Sequence, residues 1–219
     1  MNSLLKELLE YRGPVGIDTE TIGWNPKMGS PVGLARIFCV TLAWYTGEKW
    51  RTVFLKDEWR TIQPWLESPL HFKVGANLMG FDRHVFSNED VEFQGIRGDI
   101  VRMSRLLNNS WKTHGLKDWC GRLEIAQSVY KDVATRYKPA FKEGPKKEQT
   151  RKAPGGGYKI HYCPCPTVGV LKSREIMGLE VLWTDYPQRR ELLKDYALVD
   201  AVAPVKIYSH LVQRLENQR

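Results

Sequence analysis

Cysteine is scarce in this chain: Cys39, Cys120, Cys163 and Cys165 are the four among 219 residues, and their spacing gives no disulfide framework. That excludes a small, disulfide-stapled secreted scaffold and fits a reducing compartment. Long apolar runs are also missing, since none approaches the roughly 20 residues of a membrane span. The start, Met-Asn-Ser-Leu-Leu-Lys-Glu-Leu-Leu-Glu, carries acidic residues where a signal peptide keeps a clean apolar stretch. The expectation is a soluble protein of the cytoplasm, or of a host-cell interior if viral, neither secreted nor bound to a membrane. Acidic side chains are the minority charge, 25 against 33 Lys and Arg, for a net charge of +8 and a pI near 9.3. Such a surplus favours a polyanionic partner, because neutralising phosphates releases condensed counterions. With 42% hydrophobic residues the chain can bury one sizeable core, so residues 1–219 are read as one domain.

The few acids are not placed at random. Val15 to Thr21 reads Val-Gly-Ile-Asp-Thr-Glu-Thr, and in an extended strand Asp18 and Glu20 share one face while Val15, Ile17 and Thr19 share the other. Two carboxylates side by side in a partly desolvated cleft repel unless a cation neutralises them. An all-oxygen site suits a hard divalent ion, Mg2+ or Mn2+, and such a strand can begin a metal-dependent phosphoryl-transfer centre. A competing metal group, His161, Cys163 and Cys165, lacks a second pair at zinc-finger spacing and is read as incidental loop.

In chain order, Leu4, Leu5, Leu8 and Leu9 give a short amphipathic helix over residues 2–11, ended by Gly13-Pro14. After the acidic strand, residues 35–45 and 50–55 read as two further strands of an antiparallel meander, followed by a helix over 57–67. Residues 72–76 form a buried strand leading to a helix that starts near Phe81, with Asn77 and Asp82 at the junction. A strand over 91–96 then leads through Asp99 into a helix over 100–107, and His114 to Asp118 opens another. Between Lys138 and Cys165 the period fails in a Lys-rich stretch broken by Gly155-Gly156-Gly157 and by prolines, read as a flexible basic insertion over 138–165. From about Pro187 the helical period returns, placing Tyr196 and Asp200 one turn apart. Pro204 lacks the amide hydrogen that would bond the Asp200 carbonyl, so the helix is expected to break or bend there. Alternating strands and helices imply an α/β or α+β sheet with functional groups at strand ends and loops.

Assembled, the candidates are Ile17-Asp18-Thr19-Glu20-Thr21, then Val74 to Asp82 with Asn77 inside it, then Tyr196-Ala197-Leu198-Val199-Asp200. In this order the chain resembles the DEDD superfamily of 3′-to-5′ exonucleases (DnaQ-like), specifically the tyrosine-bearing branch. His114-Gly115-Leu116-Lys117 also resembles a segment of the proofreading domains of family A DNA polymerases. The resemblance runs from about Gly13 to the C-terminus. It implies an RNase H-like fold, a mixed central sheet flanked by helices, and two divalent cations, Mg2+ or Mn2+.

By position, the resemblance implies that Asp18 bridges the two ions, Glu20 and Asp200 complete the first, and Asp82 supports the second. Tyr196 would orient the attacking water. Thr19, Trp24, Asn77 and Phe81 are the implied contacts to substrate, with Trp24 either stacking on the terminal base or serving as a core tryptophan. Lys146, Lys147, Arg151 and Lys152 of the basic insertion would hold the nucleic-acid backbone. The implied activity is release of nucleoside 5′-monophosphates from a single-stranded DNA 3′ end. An RNase D-like exoribonuclease shares the chemistry, and a 2′-hydroxyl contact would distinguish it. A non-catalytic binding module on a nuclease scaffold would be favoured by loss of a carboxylate, and none is missing. No polymerase segment follows the motifs, which points to a free-standing nuclease or one serving a DNA polymerase in trans.

Overall fold

The computed structural model describes residues 2–23, 28–127, 130–139, 161–164 and 171–218. Trp24, Lys146, Lys147, Arg151 and Lys152 therefore lie outside the described residues. Helix α1 (Ser3–Glu10) is capped by the Asn2 side chain, which accepts from the Leu4 amide, and it leads into β1 (Val15–Ile22). Strands β2 (Arg36–Tyr45) and β3 (Trp50–Leu55) complete the expected meander. Strands β4 (Lys73–Gly75) and β5 (Ile96–Asp99) then add in parallel on the other side of β1, giving the order β3-β2-β1-β4-β5. The sheet is mixed, and β1 sits at its centre.

The alternation along β1 decides which layer each residue serves. Val15 and Ile17 join a core built with Leu8 of α1, Trp65 and Leu66 of α2 (Gln63–Leu66), and Phe86 of α3 (Asp82–Ser87). On the opposite face, α4 (Ile100–Leu107), α5 (Leu116–Arg122) and the long α8 (Arg190–Glu216) pack together through Ile100, Trp119, Ala203, Ile207 and Leu211. A third cluster joins Phe38 and Cys39 to α6 (Tyr130–Ala134), α7 (Leu179–Asp185) and the start of α8. Among the described residues no helix is long and apolar enough to cross a membrane.

Four sequence expectations need correction. The helix over 57–67 is a 3-10 turn at Trp59–Ile62 followed by the single turn of α2, with Pro64 in the first turn where its missing amide is tolerated. The strand over 91–96 is shifted to Ile96–Asp99: Val91 and Phe93 are buried, but they fill the core from an irregular segment that makes no ladder. Helix α8 runs unbroken through Pro204. Ala201, Ala203, Val205 and Ile207 are buried on both sides of the proline, so packing holds the helix together across one missing hydrogen bond. Finally, the basic insertion does not begin and end as loop. Strands β6 (Thr135–Pro139) and β7 (His161–Pro164) flank β8 (Leu171–Ile176) in a second, three-stranded sheet that the local pattern did not reveal.

Candidate metal centre

The site begins with a residue that has no side chain. Gly16 lies on the same face of β1 as Asp18 and Glu20, and a Cβ built on it would stand 1.9 Å from the Ala201 carbonyl oxygen of α8. The helix backbone therefore crosses β1 at a distance only glycine permits. A second tie fixes the crossing: the Thr41 hydroxyl of β2 donates to the Ala197 carbonyl at 3.1 Å. Tyr196 and Asp200, next to Ala197 and Ala201, are thereby carried to the end of β1. The carboxylate oxygens of Asp18, Glu20 and Asp200 lie within 4.8 Å of one another, although Asp200 is 182 positions after Asp18 in the chain.

Asp82 arrives from the other side. It is the first residue of α3, 2% exposed, and accepts a 2.6 Å hydrogen bond from the Thr19 hydroxyl. Thr19 is itself buried, so its hydroxyl is committed to orienting Asp82. The turn before α3 is held by Asp99, whose carboxylate accepts from the amides of Asn77 and Met79 and also caps α4 through the amides of Val101 and Arg102. Asn77 has φ 66°, a left-handed conformation that asparagine tolerates better than most residues, and it is exposed. Phe81 is half-buried at the cap of α3.

The electrostatics follow from crowding of one sign. Burial raises the Asp18 carboxyl well above the usual range, and Asp82, Glu20 and Asp200 add to the effect. Glu20 is pushed up to about 8, first by burial and then by Asp200 and Asp82. Asp82 rises to about 7 through burial, although the bond from Thr19 pulls it back. Asp200 is raised by burial and held back by Gln127, Tyr196 and Lys117. Burial and the same carboxylates push the Tyr196 hydroxyl far above its ordinary value, so it stays protonated. This donor set is hard, all-oxygen and short of positive charge, which fits Mg2+ or Mn2+ better than zinc. Asp18, Glu20 and Asp200 can hold a metal ion, with Asp82 beside them.

Gln127, Lys117 and Asp99 were not among the candidate residues. The Gln127 amide donates to Asp200 at 3.1 Å, across 73 positions of sequence, and carries no local signal. Lys117 sat in the His114-Gly115-Leu116-Lys117 segment, and Asp99 was legible as a helix cap before an apolar period.

An α/β fold with a mixed five-stranded sheet flanked by helices is compatible with an RNase H-like fold. No protein-family model matches the chain. The chain is 25% identical over 224 residues to "DNA polymerase I A, chloroplastic" of Oryza sativa subsp. japonica, an alignment covering 94% of this chain and 20% of that protein. It is likewise 25% identical over 226 residues to "DNA polymerase I B, mitochondrial" of the same plant, with the same coverage. The chain thus spans about a fifth of the length of the curated relatives it matches.

Proposed function

We propose that this chain is a 3′-to-5′ exonuclease of the tyrosine-bearing DEDD type, removing nucleoside 5′-monophosphates from single-stranded DNA ends. The observation that carries the reading is the convergence of Asp18, Glu20 and Asp200 within 4.8 Å, with Asp82 adjoining. Likeness to two proteins named as DNA polymerases supports DNA as the substrate.

Asp18, Glu20, Asp82 and Asp200 would hold two divalent cations, Mg2+ or Mn2+. Such ions, when bound, supply Lewis-acid charge to phosphoryl oxygens and lower the pKa of water. The protein's own part is positional. Tyr196, kept protonated by burial and by the carboxylates around it, offers a hydroxyl to orient the incoming water. That water gives up a proton as its oxygen bonds to the phosphorus of the terminal linkage, and the 3′ oxygen leaves with the electrons of the broken bond and takes a proton from solvent. Asp99 keeps the Asn77–Phe81 turn against the rim, where Asn77 and Phe81 can meet the terminal nucleotide. Gln127 fixes Asp200, and the Lys117 charge partly offsets the acid cluster.

The test is digestion of matched 5′-labelled DNA and RNA strands with Mg2+ or Mn2+. Stepwise shortening of the DNA from its 3′ end, with nucleoside 5′-monophosphates as product, is expected. Faster shortening of the RNA would move the substrate to RNA, and a strand left intact in both metals would overturn the reading.

A further inference from the structure

Beside the acid cluster is a pocket of about 370 Å³ that the catalytic reading does not use. It opens from Ile22, two residues beyond Glu20 on β1, and reaches across β2 to α7. Its shape comes from an irregularity in the ladder. Glu20 pairs with Cys39 but Thr21 pairs with Ile37, so Phe38 is an extra residue on β2. Neighbours on a regular strand point to opposite faces, yet Ile37 and Phe38 both line this pocket, as a bulge allows. Bulges of this kind re-aim side chains next to functional sites.

The far wall is Trp183 of α7, half-buried, stacked on Phe54 at 5.6 Å and 7° and edge-on to Phe38. Three cations surround its ring: Arg190 at 5.3 Å, Lys56 at 5.9 Å and Lys194 at 5.9 Å. Two acids, Asp57 and Glu180, line the same space, and Asp57 pairs with Lys56 at 2.6 Å. Of the three cations only Lys56 lines the pocket itself, and aromatic rings beside a cation suit a nucleotide, with the phosphate near Lys56 and the base near the rings. Carboxylates at the wall suit the exocyclic amino group of a base. The volume falls in the range of small-ligand pockets, about 300–1,000 Å³.

We infer that this pocket is a second nucleotide subsite, taking one unpaired nucleotide of the single strand whose terminal linkage lies at the acid cluster. The inference rests on the exonuclease reading for its substrate, but its test does not depend on cleavage. Fluorescence anisotropy with a labelled eight-nucleotide single-stranded DNA in EDTA reads binding alone. Thr184 lines the pocket from an exposed position of α7, so Thr184→Trp blocks the space without opening the core. Trp183→Ala removes the ring, and circular dichroism checks that both variants fold. Both should bind about tenfold more weakly than the native chain, the effect of one lost base-stacking contact. In Mg2+, Thr184→Trp should raise KM for the eight-nucleotide strand more than it raises KM for a dinucleotide. Native-like affinity in folded Thr184→Trp would overturn the inference while leaving cleavage by the native chain intact. Conversely, a native chain that cleaves nothing, while Thr184→Trp still loses affinity, would retain the subsite and remove the exonuclease reading.

Discussion

Two buried charged regions lie at opposite ends of the same pair of strands, and they are settled in opposite ways. At the start of β4, Lys73 pairs with Val15 and is wholly buried. Its ammonium donates to the carbonyls of Ser68 at 2.9 Å and His71 at 3.2 Å, and it lies 4.5 Å from the centre of the Trp65 ring. Three residues along β1, about 10 Å further, begins the acid cluster, where among the described residues four carboxylates receive the Thr19 hydroxyl, the backbone amides of Thr19 and Asp82, the Gln127 amide, the Tyr196 hydroxyl and the more distant charge of Lys117. Two of the ammonium's donors find carbonyls the chain supplies itself, although burial still disfavours its charge. The anions are brought together faster than the chain compensates them, which is the arrangement expected of a site completed by ions from outside.

The largest expected effect comes from breaking the acid end. Asp18→Ala should lower cleavage by about a thousandfold or more, the scale of a lost electrostatic contact to the transition state, while affinity for single-stranded DNA in EDTA stays near native. Saturating Mg2+ should raise the melting temperature of the native chain and not of this variant, as calorimetry would record. Lys73→Met, at the self-sufficient end, should retain both the cleavage and the Mg2+ response. Equal Mg2+ responses in native protein and Asp18→Ala would undo the contrast.

Next in size is the crossing that builds the cluster. Gly16→Val has no room against the Ala201 carbonyl, and overpacking of this kind costs about 1–3 kcal/mol. Urea denaturation should show that loss, and the folded fraction should also lose its Mg2+ response because α8 can no longer bring Asp200 to Asp18. Smaller is Gln127→Ala, which frees Asp200 without removing a carboxylate. It should weaken Mg2+ binding by about tenfold in isothermal titration, as loss of a group that orients a metal ligand does.

The subtlest contrast is in pH. Without metal, Glu20 near 8 and Asp82 near 7 hold protons in the folded chain that the unfolded chain has released, so this end loses stability as pH rises from about 4 through about 8. Lys73 has the opposite sign. Burial, with Arg97 beside it, lowers it to about 7, so the unfolded chain binds more protons between about 7 and 10.5 and stability rises with pH there. Urea midpoints in EDTA should fall and then recover across this span. Mg2+ should flatten the fall, and Lys73→Met should remove the recovery.

Much of this arrangement could be read along the chain. Period-two alternation placed Asp18 and Glu20 on one face of β1, the pairing of β2 with β3 followed from the short turn between them, and the four-residue spacing put Asp200 beside Tyr196 on one helix surface. Local rules failed where long-range packing overrides them. Val91 and Phe93 are apolar because they fill a core rather than because they form a strand, and Pro204 is carried inside a helix that both flanks bury. The sheet of β6, β7 and β8 depends on pairing between distant segments, to which a local window is blind.

By itself, then, the order of residues determined which side chains could carry the chemistry, because strand and helix periods are properties of neighbours. Whether those side chains meet was decided only in three dimensions. Gly16 let α8 approach β1, Thr19 turned Asp82 toward the cluster, Gln127 reached back to Asp200, and the Phe38 bulge opened a pocket alongside. Each of these is a contact between elements far apart in the chain, and such contacts are set by how packed layers fit rather than by any local spacing.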